Sequence, residues 1–160
     1  MDEMMTAVEK KQRYADVAKE IAAVIDGEDN LIARMATVSN ILHNAFEHYF
    51  WTGFYLVDPN KPDELVIGPY QGSLGCLRIA FGKGVCGTAA ATRQTQIVDD
   101  VHAFAGHIAC DARAQSEIVT PVITAAGDLI AVLDVDSDQK AQFDETDREG
   151  LERIIKACFS

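Results

Sequence analysis

Ile118-Val119-Thr120-Pro121-Val122-Ile123-Thr124, then Ala125-Ala126-Gly127-Asp128, then Leu129-Ile130-Ala131-Val132-Leu133-Asp134-Val135-Asp136, is the stretch on which the fold turns. Both flanks are β-branched or aliphatic, and the short segment between them contains Gly127, the pattern of a β-hairpin. Downstream, Asp144-Glu145-Thr146-Asp147 opens a helix on which Leu151, Ile154, Ile155 and Cys158 share one face. Upstream, residues 101–116 have no hydrophobic period and hold Gly106, His102 and His107, so Cys110 falls in a loop. Ile97-Val98-Asp99-Asp100 before it is a brief extended piece. Residues 85–93 are alanine-rich and helical, with Cys86 at the N-terminus of the helix, and residues 76–80 form a short strand ahead of Gly82-Lys83-Gly84.

Further upstream, Trp51-Thr52-Gly53-Phe54-Tyr55-Leu56-Val57 and Glu64-Leu65-Val66-Ile67-Gly68 flank the Asp58-Pro59-Asn60 turn and read as two antiparallel strands. Leu31, Met35, Val38, Leu42, Ala45, Phe46 and Tyr49 recur at three- and four-residue steps, which puts them on one helical face. Residues 5–23 are rich in helix formers, with a weak apolar stripe of Val8, Ala15, Ala18 and Ala22. Helices thus stand apart from a mostly antiparallel sheet, the order of an α+β fold. Residues 1–160 form one domain, large enough to close a core without staples.

A content of 48% hydrophobic and 24% charged residues argues against both disorder and a membrane protein. The formal net charge of -11 repels phosphate backbones and anionic lipid surfaces, so neither nucleic acid nor membrane is expected as a partner. Met1-Asp2-Glu3-Met4-Met5-Thr6 has neither the basic start nor the apolar stretch of a secretory signal, and a cytoplasmic location follows. In that reducing compartment four cysteines are expected as thiols or ligands rather than as permanent cross-links. Cys158 sits on the stripe of the last helix and is a packing residue. Asp134 and Asp136 point to one face of their strand, roughly 6.5 Å apart. Trp51 and Tyr55, four apart on a strand, also share a face.

Gly82-Lys83-Gly84-Val85-Cys86-Gly87, Asp134-Val135-Asp136-Ser137 and Phe143-Asp144-Glu145-Thr146-Asp147 resemble GAF domains over nearly the whole chain. Within them, Gly68-Pro69-Tyr70-Gln71-Gly72, the cysteines Cys76, Cys86 and Cys110, and the acids Glu117, Asp134 and Asp136 resemble the free methionine-(R)-sulfoxide reductases. The resemblance implies a six-stranded antiparallel sheet with helices on one face and the ligand pocket on the other, commonly as a homodimer. It also implies Cys110 as the attacking thiol, Cys76 as the resolving partner that forms a disulfide with it, and Cys86 as an auxiliary.

The chemistry suits these residue types. A thiolate attacks the sulfoxide sulfur, an acid protonates the departing oxygen, and the resulting sulfenic acid condenses with a second thiol. Glu117 is the candidate acid, Asp134 and Asp136 hold the α-ammonium group of the free amino acid, and Trp51 and Tyr55 wall the pocket around its S-methyl end. No bound cofactor or metal is expected, and thioredoxin is the implied external reductant. His107 and Arg113 beside Cys110 favour its thiolate while Asp111 opposes it, and the helix N-terminus favours the thiolate of Cys86. Plain core packing stays open for Cys86 and for the two aromatics, and solvated strand ends for the three acids. The rival functions are a non-catalytic GAF sensor of small molecules and a structural zinc site of Cys76, Cys86, Cys110 and His107, whose spacing lacks a Cys-x-x-Cys knuckle.

Overall fold

The computed structural model describes residues 5–107 and 110–160; residues 1–4, read above for the absence of a leader, and residues 108–109 of the central loop lie outside them. The chain order is α1 (Ala7–Ile25), α2 (Leu31–Ala45), β1 (Trp51–Asp58), β2 (Lys61–Gln71), β3 (Arg78–Ala80), α3 (Gly84–Thr92), β4 (Gln96–Val98), β5 (Ser116–Ile123), β6 (Leu129–Ser137) and α4 (Glu145–Phe159). The strands form one six-stranded sheet in the order β3-β2-β1-β6-β5-β4. Every pairing in it is antiparallel.

Alternation along the strands gives the sheet two buried faces. Phe54 of β1, Ile118 and Val122 of β5, and Ala131, Leu133 and Val135 of β6 face a core built with α1, α2 and α4. Trp51, Tyr55, Val119 and Val132 face the opposite way, into a second cluster roofed by Val85, Cys86, Ala89 and Ala90 of α3. Three helices therefore cover one face, and the short α3 packs on the pocket side. Burial on both faces explains why β5 and β6 read as near-continuous apolar runs.

Helix α1 corrects the stripe expected for it. Val8 is 80% exposed, and the buried face is Lys10, Tyr14, Val17, Ile21 and Ile25. The large side chains at three- and four-residue steps, not the alanines, have the area to decide which face turns inward. A lysine belongs to that face because Asp147 receives it: Lys10 Nζ lies 2.7 Å from Asp147 Oδ2. Asp147 also belongs to the capping box expected at the start of α4, where Asp144 accepts from the Thr146 and Asp147 backbones. Helix α2 ends at Ala45, but Phe46 and Tyr49 beyond it remain in the same core. Cys76 precedes β3 rather than opening it, so it sits on a loop.

Candidate active site

Strand register assembles the site. Opposed residues of an antiparallel pair project to the same face, and Asp136 of β6 lies opposite Trp51 on one side and Glu117 on the other. One step along, Asp134 lies between Gly53 and Val119. The three acids expected from the sequence thus share one patch of the pocket face. Glu117 and Asp134 are buried, while Asp136 is partly open to the cavity. That cavity is also lined by Trp51, Tyr55, Cys86, His107 and Cys110.

The carboxylates are crowded by one another and by Cys86, whose Sγ donates to Glu117 Oε2 at 3.9 Å. Burial first, and then the charge of Asp134, raises the Glu117 carboxyl well above its ordinary range. Burial and Asp136 do the same to Asp134, and burial and Glu117 to Asp136. Four ionisable groups in one crowded patch oppose one another's charge, so each is pushed toward its protonated form. Asp134 Oδ1 is buried with no hydrogen-bond partner among the described residues, a costly state that a ligand donor would relieve.

Cys86 departs from the expectation for a helix N-terminus. It does enter α3 in the first turn, but burial and then the charges of Asp134, Glu117 and Asp136 push its thiol well upward. Those carboxylates lie closer to the sulfur than the partial charge of a nine-residue helix can offset. Cys86 is therefore held as a thiol, free of any disulfide. Its helix is pressed against the sheet edge: a β-carbon at Gly87 would strike the backbone carbonyl of Ala80. Cys158, set aside as a packing residue, is buried among Leu151, Ile154 and Ile155.

Cys76 and Cys110 form a disulfide across 34 residues, with Cα atoms 5.3 Å apart. Cys110 lines the cavity and is exposed, so a ligand and an external reductant have access to it. The cationic help expected for Cys110 is altered by the fold. His107 is pushed below its ordinary pKa by burial and then by His102, which leaves it neutral near pH 7. Arg113 is taken up by Asp111, to which it donates from Nε at 3.1 Å and from a terminal nitrogen at 2.7 Å. The two charges flanking Cys110 therefore largely cancel.

The aromatic wall is larger than the sequence suggested. Trp51 stacks on Tyr55 at 5.8 Å and on Tyr70 at 5.1 Å between ring centroids, making a three-ring surface. Gly75 lies flat against it; a β-carbon there would come within 2.9 Å of Trp51 and 2.7 Å of Ile67. The Trp51 indole donates to the Ser73 carbonyl at 2.8 Å, which ties the loop carrying Cys76 to the wall. Phe50 and Gly75 line the cavity and were missed, as was Tyr70, the ring that backs Trp51, whereas His107, weighed above beside Cys110, lines the cavity as well. Tyr70 lies on the far side of a hairpin irregularity that shifts the β1–β2 register after Gly53, so strand alternation alone does not place it. The zinc set of Cys76, Cys86, Cys110 and His107 does not assemble, because Cys76 and Cys110 are bonded to each other.

The sequence relatives fit this geometry. Residues 34–158 match the GAF domain family model. The free methionine-R-sulfoxide reductase of Escherichia coli is 42% identical, with 91% of this chain and 86% of that one covered. That of Saccharomyces cerevisiae is 42% identical over 82% of this chain and 75% of its own. A crystal structure of the free methionine-R-sulfoxide reductase of Neisseria meningitidis, solved in complex with its substrate, is 44% identical, covers 97% of this chain and 92% of its own, and superposes with a TM-score of 0.87. With one cysteine of a disulfide lining an acid-lined cavity on the pocket face of a GAF sheet, and with relatives this near over most of its length, the chain belongs to the free methionine-R-sulfoxide reductases of the GAF-domain family.

Proposed function

We propose that the protein reduces free methionine-(R)-sulfoxide to methionine, with Cys110 as the nucleophile, Cys76 as the resolving thiol and thioredoxin in the cytoplasm as the reductant. The observation that carries this reading is the meeting of three crowded acids with Cys110 of the Cys76–Cys110 disulfide on one cavity. A thiol alone is a poor reductant of a sulfoxide, because the oxygen must be protonated as it leaves. A carboxyl group raised by burial keeps its proton to higher pH than an exposed one and can act as that acid.

In the first step the Cys110 sulfur attacks the sulfoxide sulfur, a carboxyl of the Glu117, Asp134 and Asp136 cluster protonates the oxygen, and the oxygen passes to cysteine. Methionine leaves and Cys110 becomes a sulfenic acid. In the second step the Cys76 thiol displaces that hydroxyl as water and closes the disulfide. A dithiol of thioredoxin then supplies the two electrons and two protons that restore both thiols. Asp134, with its unpartnered oxygen, and the more open Asp136 receive the α-ammonium group. A free amino acid brings this cation, and a residue inside a peptide does not. The stacked surface of Trp51, Tyr55 and Tyr70 accommodates the S-methyl group and excludes water. Cys86 serves as a proton-bearing neighbour of Glu117 rather than as an attacking thiolate.

The test couples turnover to thioredoxin, thioredoxin reductase and NADPH, with free methionine-(R)-sulfoxide, the (S) epimer and a peptide-bound sulfoxide as substrates. NADPH loss is expected with the first alone. No turnover of any sulfoxide would leave the protein a small-molecule-binding GAF module.

A further inference from the structure

Two loops must meet for the disulfide to form, and they are joined a second time beside it. Residues 72–77 carry Cys76, and residues 110–115 carry Cys110. Ser73 of the first loop donates from Oγ to Asp111 Oδ2 of the second at 2.6 Å. Asp111 is the residue after Cys110, and Ser73 lies three before Cys76. The carboxylate is held in place from the other side. Its Oδ1 accepts from the Arg113 backbone at 2.9 Å and from Arg113 Nε at 3.1 Å, and its Oδ2 accepts from the Arg113 guanidinium at 2.7 Å. The guanidinium in turn lies over the Phe50 ring, 4.8 Å from its centroid. At the other end of the chain of contacts, the Ser73 carbonyl is fixed by the Trp51 indole.

We propose that Ser73, Asp111 and Arg113 form a clamp that positions the Cys76 thiol against Cys110, so that the clamp governs the resolving step and not the sulfoxide-reducing step. This rests on the thiol mechanism proposed above. Ser73 has a fixed carbonyl and a bonded hydroxyl, so the short span to Cys76 begins from a defined point. Asp111 sets the corresponding point beside Cys110. Two groups tethered near each other react at an effective concentration set by how well the tethers hold them. By linkage, whatever the hydrogen bond adds to disulfide closure the disulfide returns to the hydrogen bond. Loss of the Ser73–Asp111 bond weakens disulfide formation without touching the acids, the aromatic wall or the attacking sulfur. These are positioning residues, because their effect passes through the two cysteines.

The test has one arm that needs no sulfoxide. Wild type, Ser73→Ala and Ser73→Thr are equilibrated in dithiothreitol redox buffers, and the Cys76–Cys110 dithiol fraction is measured by thiol alkylation and mass spectrometry. Ser73→Ala is expected to shift the equilibrium ~5-fold toward the dithiol, the worth of one hydrogen bond, or about 20 mV at 29.6 mV per decade. Ser73→Thr, which keeps the hydroxyl, is expected to restore the wild-type value. In the second arm a single turnover is quenched with dimedone, which traps sulfenic acid. The methionine burst of Ser73→Ala should match wild type while its ratio of trapped Cys110 to disulfide rises ~5-fold. An unshifted equilibrium, or a shifted one with an unchanged ratio, overturns the clamp. Absence of a methionine burst from wild type defeats the reductase reading instead, and the redox-buffer arm still decides whether the clamp holds.

Discussion

Glu117, Asp134 and Asp136 set folding at odds with charge, since the fold crowds together three acids that repel one another and buries two of them. Their folded pKa values are raised above the unfolded values near 4. In that direction the sign is clear. The native state binds the extra protons, so stability is greatest below the unfolded value and is lost as pH rises through the raised one. Asp134→Asn removes one of the crowded acids together with its orphaned oxygen, and the variant should be more stable at pH 7 by about 1 kcal/mol, ~2–4 °C in Tm. The same variant should lose methionine-sulfoxide reduction. Scanning calorimetry beside the coupled assay checks both, and a Tm that fell would mean that the carboxylate is satisfied after all. Glu117→Gln should lower kcat/KM ~100-fold or more while leaving the circular dichroism spectrum unchanged, the loss typical of a general acid. In wild type the activity should fall as alkaline pH strips the carboxyl cluster of its last proton, and the descending limb of a pH–rate profile measures this.

At the level of elements, α1 and α4 are joined by a buried polar knot that the hydrophobic pattern did not reveal. Asp147 accepts from Lys10 at 2.7 Å, Tyr14 at 2.6 Å and the Asp144 backbone at 2.9 Å, with His48 Nε2 at 3.4 Å. Tyr14 and Tyr49 share a further hydroxyl contact of 2.6 Å. Burial pushes the Asp147 carboxyl up, but the hydrogen bonds from His48, Lys10 and Tyr14 outweigh it and hold the group at about 2. A depressed folded pKa contributes stability that is fully present above the unfolded value near 4 and is lost as pH falls toward 2. Acid unfolding should therefore show a component in that window. Asp147→Ala should remove it and destabilise the protein by about 3 kcal/mol, because the buried Lys10 loses its close partner and keeps only longer contacts to Asp144 at 3.6 Å and the Gln142 carbonyl at 3.4 Å. Urea titration at pH 7 and at pH 3 tests this. A variant that also carried Lys10→Met should recover part of the loss.

For the whole molecule, the redox state of the Cys76–Cys110 pair is coupled to stability. The Cys76–Cys110 bond closes a loop with a sequence separation of 34 residues, which in the chain-entropy account constrains the unfolded chain by up to about 4 kcal/mol. Reduction by dithiothreitol should lower Tm by up to ~8–16 °C. Cys76→Ser should melt at the same temperature with or without reductant, as its partner cannot close the loop. Equal melting of reduced and oxidised wild type would overturn this account, because the cross-link would then give no net advantage over the free thiols.

The hairpin of β5 and β6, the α2 stripe and the capped start of α4 were legible because each is encoded by neighbours in sequence: alternation, helical spacing and a local side-chain cap. The pairing of Asp134 with Asp136 was legible for the same reason, being a property of one strand. The α1 stripe was misread, since a buried lysine looks like a surface residue until its partner 137 positions away is known. The meeting of Glu117 with both aspartates depends on β5–β6 register, and the inclusion of Tyr70 depends on an irregular hairpin; neither is a local property. Cys86 shows the difference most directly. Its place at a helix start, which favours a thiolate, is written in the chain, whereas the three carboxylates that reverse that preference arrive from β5 and β6. Electrostatic environments are sums over everything within a few ångströms, and for a buried group most of those neighbours are brought in by the fold.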